Sequence, residues 1–141
     1  MHYKIPIEII ELEQGNYHIV VTSLFEDGRE GKWVVDTGAS KSIFDQNLSK
    51  YYQPLEGISE ELHSAGFNDE PIKSSVAILD AFTIRNFKCA QMKVAIMDLS
   101  HINALYSKTA HLEICGLLGG DFLINRQAVI DYKRKRIILR M

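Results

Sequence analysis

The sequence predicts an all-β fold, mainly strands with one to three short helices, in a single domain over residues 1–141. One domain fits the length, since 141 residues can bury a core of their own. The composition, 46% hydrophobic and 24% charged, is typical of a folded protein and not of a disordered one. Short β-type runs are separated by turn dipeptides such as Gly15-Asn16 and Asp27-Gly28, which favours strands joined by tight turns.

Three strands are predicted before Asp36. Isoleucine recurs at every second position over residues 5–9, which is the period of a strand, and Pro6 indicates an edge strand because proline has no N–H to donate. A second β-rich run covers residues 17–25. Asp27-Gly28 then closes a hairpin into the third strand, which ends at Asp36.

A short helix and several strands are predicted in the middle of the chain. Asp45 can cap a helix that runs to Tyr51 or Tyr52, and Pro54 ends the helical pattern. Further β-type runs lie at residues 76–79, 82–84 and 92–96.

Another helix is predicted to begin at Ser100, which can cap it. Ile102, Leu105 and Tyr106 recur at the spacing of one helix face. The stretch continues to about His111.

The chain is predicted to end in a hairpin. Residues 128–132 and 137–141 are β-type runs, and the basic residues 133–136 lie between them. The simplest interpretation of these four charges is a solvated turn. Nucleic-acid binding would require a wider basic face with aromatic platforms, and the net charge of −2 does not favour it.

The most informative stretch surrounds Asp36. Val34 and Val35 are typical of a strand interior, and Asp36 and Gly38 follow in a tight turn before a second short β-type run at residues 42–44. Gly38 allows a close backbone approach that a side chain would forbid. The pattern predicts a strand that delivers one carboxylate to an opening in the fold.

Residues 36–40, Asp-Thr-Gly-Ala-Ser after two apolar residues, resemble the active-site loop of the retropepsin-like aspartic proteases. Residues 114–123, with two leucines before Gly119 and a short predicted helix after it, resemble the second signature of the same family. The order of these stretches also fits, and the resemblance covers nearly the whole chain. It implies a single-domain retropepsin-like acid protease barrel that forms half of a two-fold dimer.

The resemblance assigns roles to the loop residues. Asp36, Thr37 and Gly38 are the catalytic turn, in which Thr37 hydrogen-bonds to the partner loop and Gly38 brings backbone close to the carboxylates. Ala39 is expected to contact substrate. Pepsin-like enzymes usually carry a hydroxyl residue there, and Ala39 has no hydroxyl to donate to the aspartate, so we expect a mildly acidic optimum of activity.

The resemblance also assigns roles outside the loop. The residues expected to support the Asp36 loop from behind are Leu117, Leu118 and Gly119. By chain position, the polar turn in the middle of the chain matches the flap, a hairpin that closes over substrate, and its alternative is an ordinary surface hairpin. The flap residues expected to contact substrate are Ser64, Ala65, Gly66 and Phe67. The stretch over residues 100–111 is longer than the family pattern requires, and we interpret it as an insertion.

Asp36 implies a homodimer, because hydrolysis of a peptide bond by carboxylates alone needs two of them facing one water. The sequence holds a single Asp-Thr-Gly. Asp121 lacks the following Thr/Ser-Gly and is not assigned as the second acid. A two-fold axis through the site would supply Asp36 of a second copy. The family's small members work in this way, so the resemblance implies the same assembly.

Other partners and locations are not signalled. With a pI of about 6.2, no global positive field recruits nucleic acid or an anionic membrane. The first residues lack the apolar region of a signal peptide, and no stretch approaches the length of a membrane span. We therefore expect a cytoplasmic protein that acts on peptide or protein substrates.

No metal or cofactor is expected. The five histidines show no HExxH or other ligand spacing, so a metal hydrolase is disfavoured. Residues 116–120 are glycine-rich but lack the Lys-Ser/Thr of a phosphate-binding loop. Cys89 and Cys115 are far apart and are predicted to be buried small hydrophobic residues.

Two functions remain open from the sequence. The first is a homodimeric aspartic endopeptidase. The alternative is a non-catalytic dimerising or peptide-binding module that retains the fold, since a fold alone does not guarantee activity. The intact Asp36-Thr37-Gly38 favours the endopeptidase, because a binding module has no need of paired carboxylates.

Overall fold

The computed structural model describes residues 1–62 and 72–141. Within them the chain forms thirteen strands, two α-helices and a 3₁₀ turn at Ser49–Tyr51. The strands are β1 (His2–Pro6), β2 (Glu8–Glu13), β3 (Asn16–Phe25), β4 (Glu30–Val35), β5 (Ile43–Asp45), β6 (Tyr52–Leu62), β7 (Ile72–Leu79), β8 (Phe82–Ile84), β9 (Phe87–Cys89), β10 (Met92–Met97), β11 (Gly116–Leu118), β12 (Val129–Asp131) and β13 (Arg136–Arg140). The helices are α1 (Ser100–Ala110) and α2 (Gly120–Asn125). No helix in the described part of the chain is both long enough and apolar enough to cross a membrane.

The strands form two sheets. The larger one has the order β6-β7-β10-β5-β11-β4-β3-β8-β9, with β2 paired to β3, and it curls into a half-barrel. The smaller one has the order β1-β13-β12. One apolar core spans both sheets, since Ile5 and Ile137 of the small sheet pack in the same buried cluster as Trp33 of the large one. The predicted mainly-β fold is confirmed.

The prediction of three strands before Asp36 is wrong, because four strands precede it. The alternating run near the N-terminus divides at Ile7, whose N–H donates to Lys135 O at 3.1 Å. Residues before this point pair with β13, and residues after it pair with β3. Pro6 ends β1, which is an edge strand as predicted.

The helix predicted from Asp45 is also wrong. Asp45 is the last residue of β5 and is buried, and its Oδ1 accepts the backbone N–H groups of Asn47 and Leu99, each at 3.2 Å. The carboxylate therefore fastens two loops and caps no α-helix. Only the 3₁₀ turn follows, and Pro54 lies inside β6 instead of ending a helix.

Helix α1 forms where predicted, but Ser100 is its first residue and not its cap. The side chain that accepts hydrogen bonds at the N-terminus of the helix is Asp98. Its Oδ1 accepts the backbone N–H of Ser100 at 3.0 Å and the Ser100 hydroxyl at 2.6 Å. Tyr106 is buried against the sheet, whereas Leu105 is 43% exposed. The predicted apolar face is therefore narrower than the sequence spacing suggests.

Trp33 lies at the centre of the core and is fully buried. Its indole Nε1 donates to the hydroxyl of Ser23 at 2.9 Å, so the one polar atom of the ring is satisfied. The ring stacks on Phe82 with centroids 5.3 Å apart. This packing fixes β4, the strand that leads to Asp36, against β3 and β8.

The hairpin predicted around the flap turn and the hairpin predicted at the C-terminus are both present in the part of the chain that the structure describes. Strands β6 and β7 pair antiparallel as far as Leu62 and Ile72, the two ends of the described chain on either side of the predicted flap turn. The flap residues Ser64, Ala65, Gly66 and Phe67 lie outside the described residues. At the C-terminus β12 pairs with β13, and Lys135 adopts a positive φ of 51° in the basic turn between them.

Cys89 and Cys115 are buried and unpaired, as predicted. Burial raises the pKa of the Cys89 thiol to about 12. Both residues act as small apolar side chains of the core.

The turn between β3 and β4 should make stability depend on pH. The ammonium of Lys50, 2.8 Å from Asp27 Oδ2, lowers the pKa of Asp27 to about 2, and the N–H of Arg29 adds to the effect. Because the folded pKa lies below the ordinary value, the stabilisation is complete above about pH 4 and is lost as the pH falls towards 2. We expect the free energy of unfolding, measured with urea at pH 5, 3 and 2, to fall more steeply in wild type than in Asp27→Asn.

Asp98 and Asp131 also have lowered pKa values, through hydrogen bonds to Ser100 and Arg134 respectively. Both residues affect the stability of wild type and of Asp27→Asn equally. The difference between the two urea series therefore measures the contribution of Asp27 alone. Parallel pH profiles for wild type and Asp27→Asn would contradict this prediction.

Candidate active site

The Asp36 loop is an arch over the end of an inserted strand. β4 ends at Val35 and β5 begins at Ile43, but β11 lies between them in the sheet. Leu117 of β11 is in register with Val34 on one side and Ile43 on the other. Residues 36–42 must therefore span the width of one strand, and they do so across the end of β11.

Asp36 stands at the first position of the arch. Its backbone N–H donates to Leu118 O at 2.9 Å, which continues the β4–β11 pairing by one residue. Its carboxylate Oδ1 accepts the backbone N–H of Gly38 at 2.9 Å, and its backbone O accepts the N–H of Ala39 at 3.2 Å. Asp36 is half-buried, whereas Thr37 and Gly38 are exposed. The turn thus holds a carboxylate in one orientation at a surface that a second molecule can reach.

The arch packs so closely on the chain after β11 that it needs glycine there. A Cβ atom on Gly119 would lie 2.7 Å from Lys41 O and 2.8 Å from Ala39 O. At the other end of β11, a Cβ on Gly116 would clash with Ile43 O. At Gly119, therefore, backbone lies directly on the backbone of the arch.

Ser42 and Asp121 fasten the far end of the arch. Asp121 Oδ1 accepts the hydroxyl of Ser42 at 2.8 Å, and Oδ2 accepts the Ser42 backbone N–H at 3.1 Å. Ser42 Oγ in turn accepts the N–H of Gly119 at 3.0 Å, and Ser42 is fully buried. Asp121 Oδ1 also accepts the N–H of Phe122 at 2.8 Å, in the first turn of α2. The carboxylate of Asp121, in α2, thus holds the far end of the arch directly, and Ser42 extends the link to Gly119, just after β11.

Replacing Asp121 with alanine should destabilise the protein and loosen the arch. The substitution leaves the buried hydroxyl and N–H of Ser42 without their acceptor, at a cost of about 2–3 kcal/mol in the free energy of unfolding. Urea denaturation measures the loss.

Ser42→Ala and the double variant give the control. Because the two residues share the same hydrogen bonds, the loss in the double variant should be clearly smaller than the sum of the single losses. Additive losses would contradict the coupling between Ser42 and Asp121.

A second apolar cluster lies beside the arch, between the sheet and α1. Its buried members are Val20, Val34, Ile43, Ala95, Leu99, Tyr106 and Ile114. Leu117 is half-buried and packs against them. Strand alternation places Val34 and Asp36 on the same side of the chain, with Val35 turned into the main core. Helix α1 joins this cluster through Tyr106.

The structure places the predicted site residues in two groups. Asp36, Thr37 and Gly38 form the turn. Leu118 O accepts the N–H of Asp36, Gly119 lies against the backbone of the arch, and Leu117 packs in the second cluster. The catalytic role of the turn and the supporting role of residues 117–119 stay predictions. Ala39 is only 4% exposed, and its contact with substrate stays a prediction, as do the roles of the flap residues.

The sequence reasoning missed the structural roles of Ser42 and Asp121 and the position of Tyr106. An acidic residue in the first turn of a predicted helix is a signal for Asp121, since carboxylates are favoured there. Nothing local points to Ser42. Within residues 1–62 and 72–141, no three His, Cys, Asp or Glu side chains are grouped so as to hold a metal.

Comparisons with known proteins agree with this geometry. A family model described as aspartyl protease matches residues 21–122, a range that includes both the arch and β11. Among solved structures, a retropepsin-like aspartic protease from Rickettsia conorii aligns with 99% of this chain and 90% of its own, with a TM-score of 0.53 and 17% sequence identity. At this identity the likeness is one of fold. No curated protein matches the sequence. The family match extends over well more than half of the chain, which therefore belongs to the aspartyl protease family and has a retropepsin-like fold.

Proposed function

We propose that the protein is an aspartic endopeptidase in which two Asp36 carboxylates, one from each chain of a homodimer, activate a water molecule. The observation that carries this proposal is the braced arch. It holds Asp36 half-buried and in a fixed orientation, with Thr37 and Gly38 exposed at its tip. A structural loop has no need of a carboxylate at such a position.

The requirement for a second chain follows from the carboxylates near the arch. Asp121 is the neighbouring acid, but both of its oxygens accept hydrogen bonds from Ser42. Asp45 is buried, and its Oδ1 accepts N–H groups from two loops. Asp36 of a second copy, related by a two-fold axis, is the natural partner.

The proposed reaction uses one ionised and one protonated carboxyl group. The ionised Asp36 accepts a proton from water as the water oxygen bonds to the peptide carbonyl carbon, and the protonated Asp36 donates its proton to the carbonyl oxygen. The tetrahedral diol then collapses. One Asp36 donates its proton to the amide nitrogen as the C–N bond breaks, and the other accepts a proton from a hydroxyl of the diol, which yields an acid and an amine and leaves the pair with one shared proton.

The proposed substrate is an extended peptide. It would lie across the two Asp36 residues, between them and the β6–β7 hairpins of the two chains. Main-chain hydrogen bonds would hold it, and alternate side chains would enter pockets. Ala39 and residues 64–67 are the proposed contacts, and a mildly acidic optimum is part of the same proposal.

Sedimentation with a parallel cleavage assay tests the proposal. We expect a mass of about 32 kDa, twice the 16.0 kDa of one chain, at micromolar concentration and at pH 5 and pH 7. A peptide library incubated under the same conditions should be cleaved. Cleavage by a protein that stays monomeric would contradict the shared pair of acids, and a dimer that cleaves nothing would contradict the endopeptidase.

A further inference from the structure

A cavity of about 250 Å³ lies beside the far end of the arch, and the proposed function leaves it without a role. Three segments line this arch-end cavity: the end of the arch at Lys41, the chain from Cys89 into β10, and α2. Its volume is below the range of about 300–1,000 Å³ that is typical of pockets for drug-sized ligands. A molecule bound there must therefore be small.

The charge of the arch-end cavity is positive. The cationic side chains that line it are Lys41, Lys93 and Arg126. Asp121 is the one carboxylate of the lining, and both of its oxygens already accept hydrogen bonds from Ser42. The Cys89 thiol adds no negative charge, because burial raises its pKa to about 12. A positive cavity of this size attracts a small anion.

Strand pairing brings the two lysines of the cavity together. β5 and β10 run parallel, with Ile43 in register with Ala95, and the N–H of Ala95 donates to Ser42 O at 3.0 Å. Lys41 and Lys93 each precede this pair by two residues, so they lie at the same end of two neighbouring segments, about 5 Å apart. An anion beside one ammonium group is therefore attracted by the other as well.

Arg126 is held in place at the end of α2. Its guanidinium lies over the ring of Phe87, 5.3 Å from the ring centroid. Its backbone N–H donates to Phe122 O at 3.1 Å, and its backbone O accepts the N–H of Arg140 at 2.8 Å. Within residues 1–62 and 72–141, neither Arg126 nor Lys41 forms an ion pair. The planar guanidinium can thus donate two parallel hydrogen bonds to an oxyanion.

We propose that the arch-end cavity binds one small oxyanion of the size of phosphate, held by Lys41, Lys93 and Arg126. The bound anion connects the arch to β10 and α2, at the end that Asp121 and Ser42 already hold. Two sources share this chemistry, a free anion and an oxyanion carried by a peptide. The site does not depend on proteolytic activity, so its test needs no cleavage.

The test is a titration with inorganic phosphate at neutral pH, followed by amide NMR spectra, with the ionic strength held constant by sodium chloride. In wild type the shifts should saturate and cluster at the residues that line the cavity. Lys41→Gln and Arg126→Gln should each weaken binding at least about tenfold, because each removes a charge-assisted hydrogen bond to the anion. Lys41 is exposed, so Lys41→Gln should fold even if Arg126→Gln does not.

Lys133→Gln is the matched control, because it removes one exposed lysine from the turn between β12 and β13, outside the cavity lining. It should bind phosphate as wild type does. Three results would overturn the site: shifts that spread over the surface without saturating, equal weakening in Lys133→Gln and Lys41→Gln, or no response to phosphate at all.

A peptide arm distinguishes the two sources of the oxyanion. A short peptide with one phosphoserine and its unphosphorylated form are titrated in the same way. Binding of the phosphopeptide at least about tenfold tighter than inorganic phosphate assigns the site to an anion carried by a peptide. Equal or weaker binding assigns it to a free anion. Equal binding of the unphosphorylated peptide at the cavity would show that the oxyanion is not recognised, and would overturn the proposal.

Discussion

Asp36→Asn is expected to abolish peptide cleavage and to leave the fold intact. The asparagine cannot accept a proton from water, which should lower kcat/KM by at least about a thousandfold. Its side-chain oxygen can still accept the N–H of Gly38, the bond that shapes the turn in wild type. The urea midpoint should therefore stay close to that of wild type while activity is lost.

Glu26→Gln is the control for this variant, since it neutralises one exposed carboxylate in the turn after β3, away from the arch. It should retain full activity. Cleavage by Asp36→Asn within tenfold of the wild-type rate would contradict the mechanism.

Mixtures of wild type and Asp36→Asn test whether the two chains of a dimer share their Asp36 carboxylates. In an equal mixture of exchanging chains, about one quarter of the dimers have two Asp36 carboxylates. The measured activity should follow this fraction. If the mixture kept one half of the activity of wild type at the same total concentration, each chain would act alone.

Gly119→Ala is expected to cost about 3 kcal/mol in the free energy of unfolding, because the new methyl group would lie 2.7 Å from Lys41 O and 2.8 Å from Ala39 O. Both neighbours are backbone atoms of the arch, so the arch itself must move. We expect loss of cleavage activity even at temperatures where the variant is folded. Thermal unfolding and the cleavage rate measure the two effects.

Gly120→Ala is the matched control. A Cβ atom there would lie 3.6 Å from Ala39 O, an ordinary contact, and alanine is a better helix former than glycine in α2. This variant should stay within about 1 kcal/mol of wild type and remain active. Equal destabilisation by the two substitutions would show that the close approach of the arch is not the reason why position 119 requires glycine.

The parts of the fold that follow local patterns could be predicted from the sequence. The strand that ends at Asp36, the hairpin at Asp27-Gly28 and the terminal hairpin all show strand periodicity interrupted by turn residues. Local patterns also misled. Asp45 has the chemistry of a helix cap, but it is buried and accepts the N–H of Leu99, and neither fact is visible in its neighbouring residues.

The support of the candidate site depends on contacts between distant residues. Ser42 and Asp121 are 79 positions apart, and no periodicity near either one signals their hydrogen bonds. Likewise, the pairing of Leu117 with both Val34 and Ile43 is a matter of tertiary register. The resemblance to a known family supplied the expectation that residues 117–119 lie behind the loop, and the structure adds the close approach of Gly119 to the backbone of Ala39 and Lys41.

The insertion of β11 between β4 and β5 sets the order in which the protein can acquire its site. Strand pairings between distant segments form late, because a long loop must close before they stabilise the chain. During synthesis, Asp36 emerges well before the strand beneath its loop and before the carboxylate of Asp121. A nascent or truncated chain that lacks β11 therefore carries the acid without the frame that orients it. The protein becomes competent for its proposed chemistry only after β11 and Asp121 have been made.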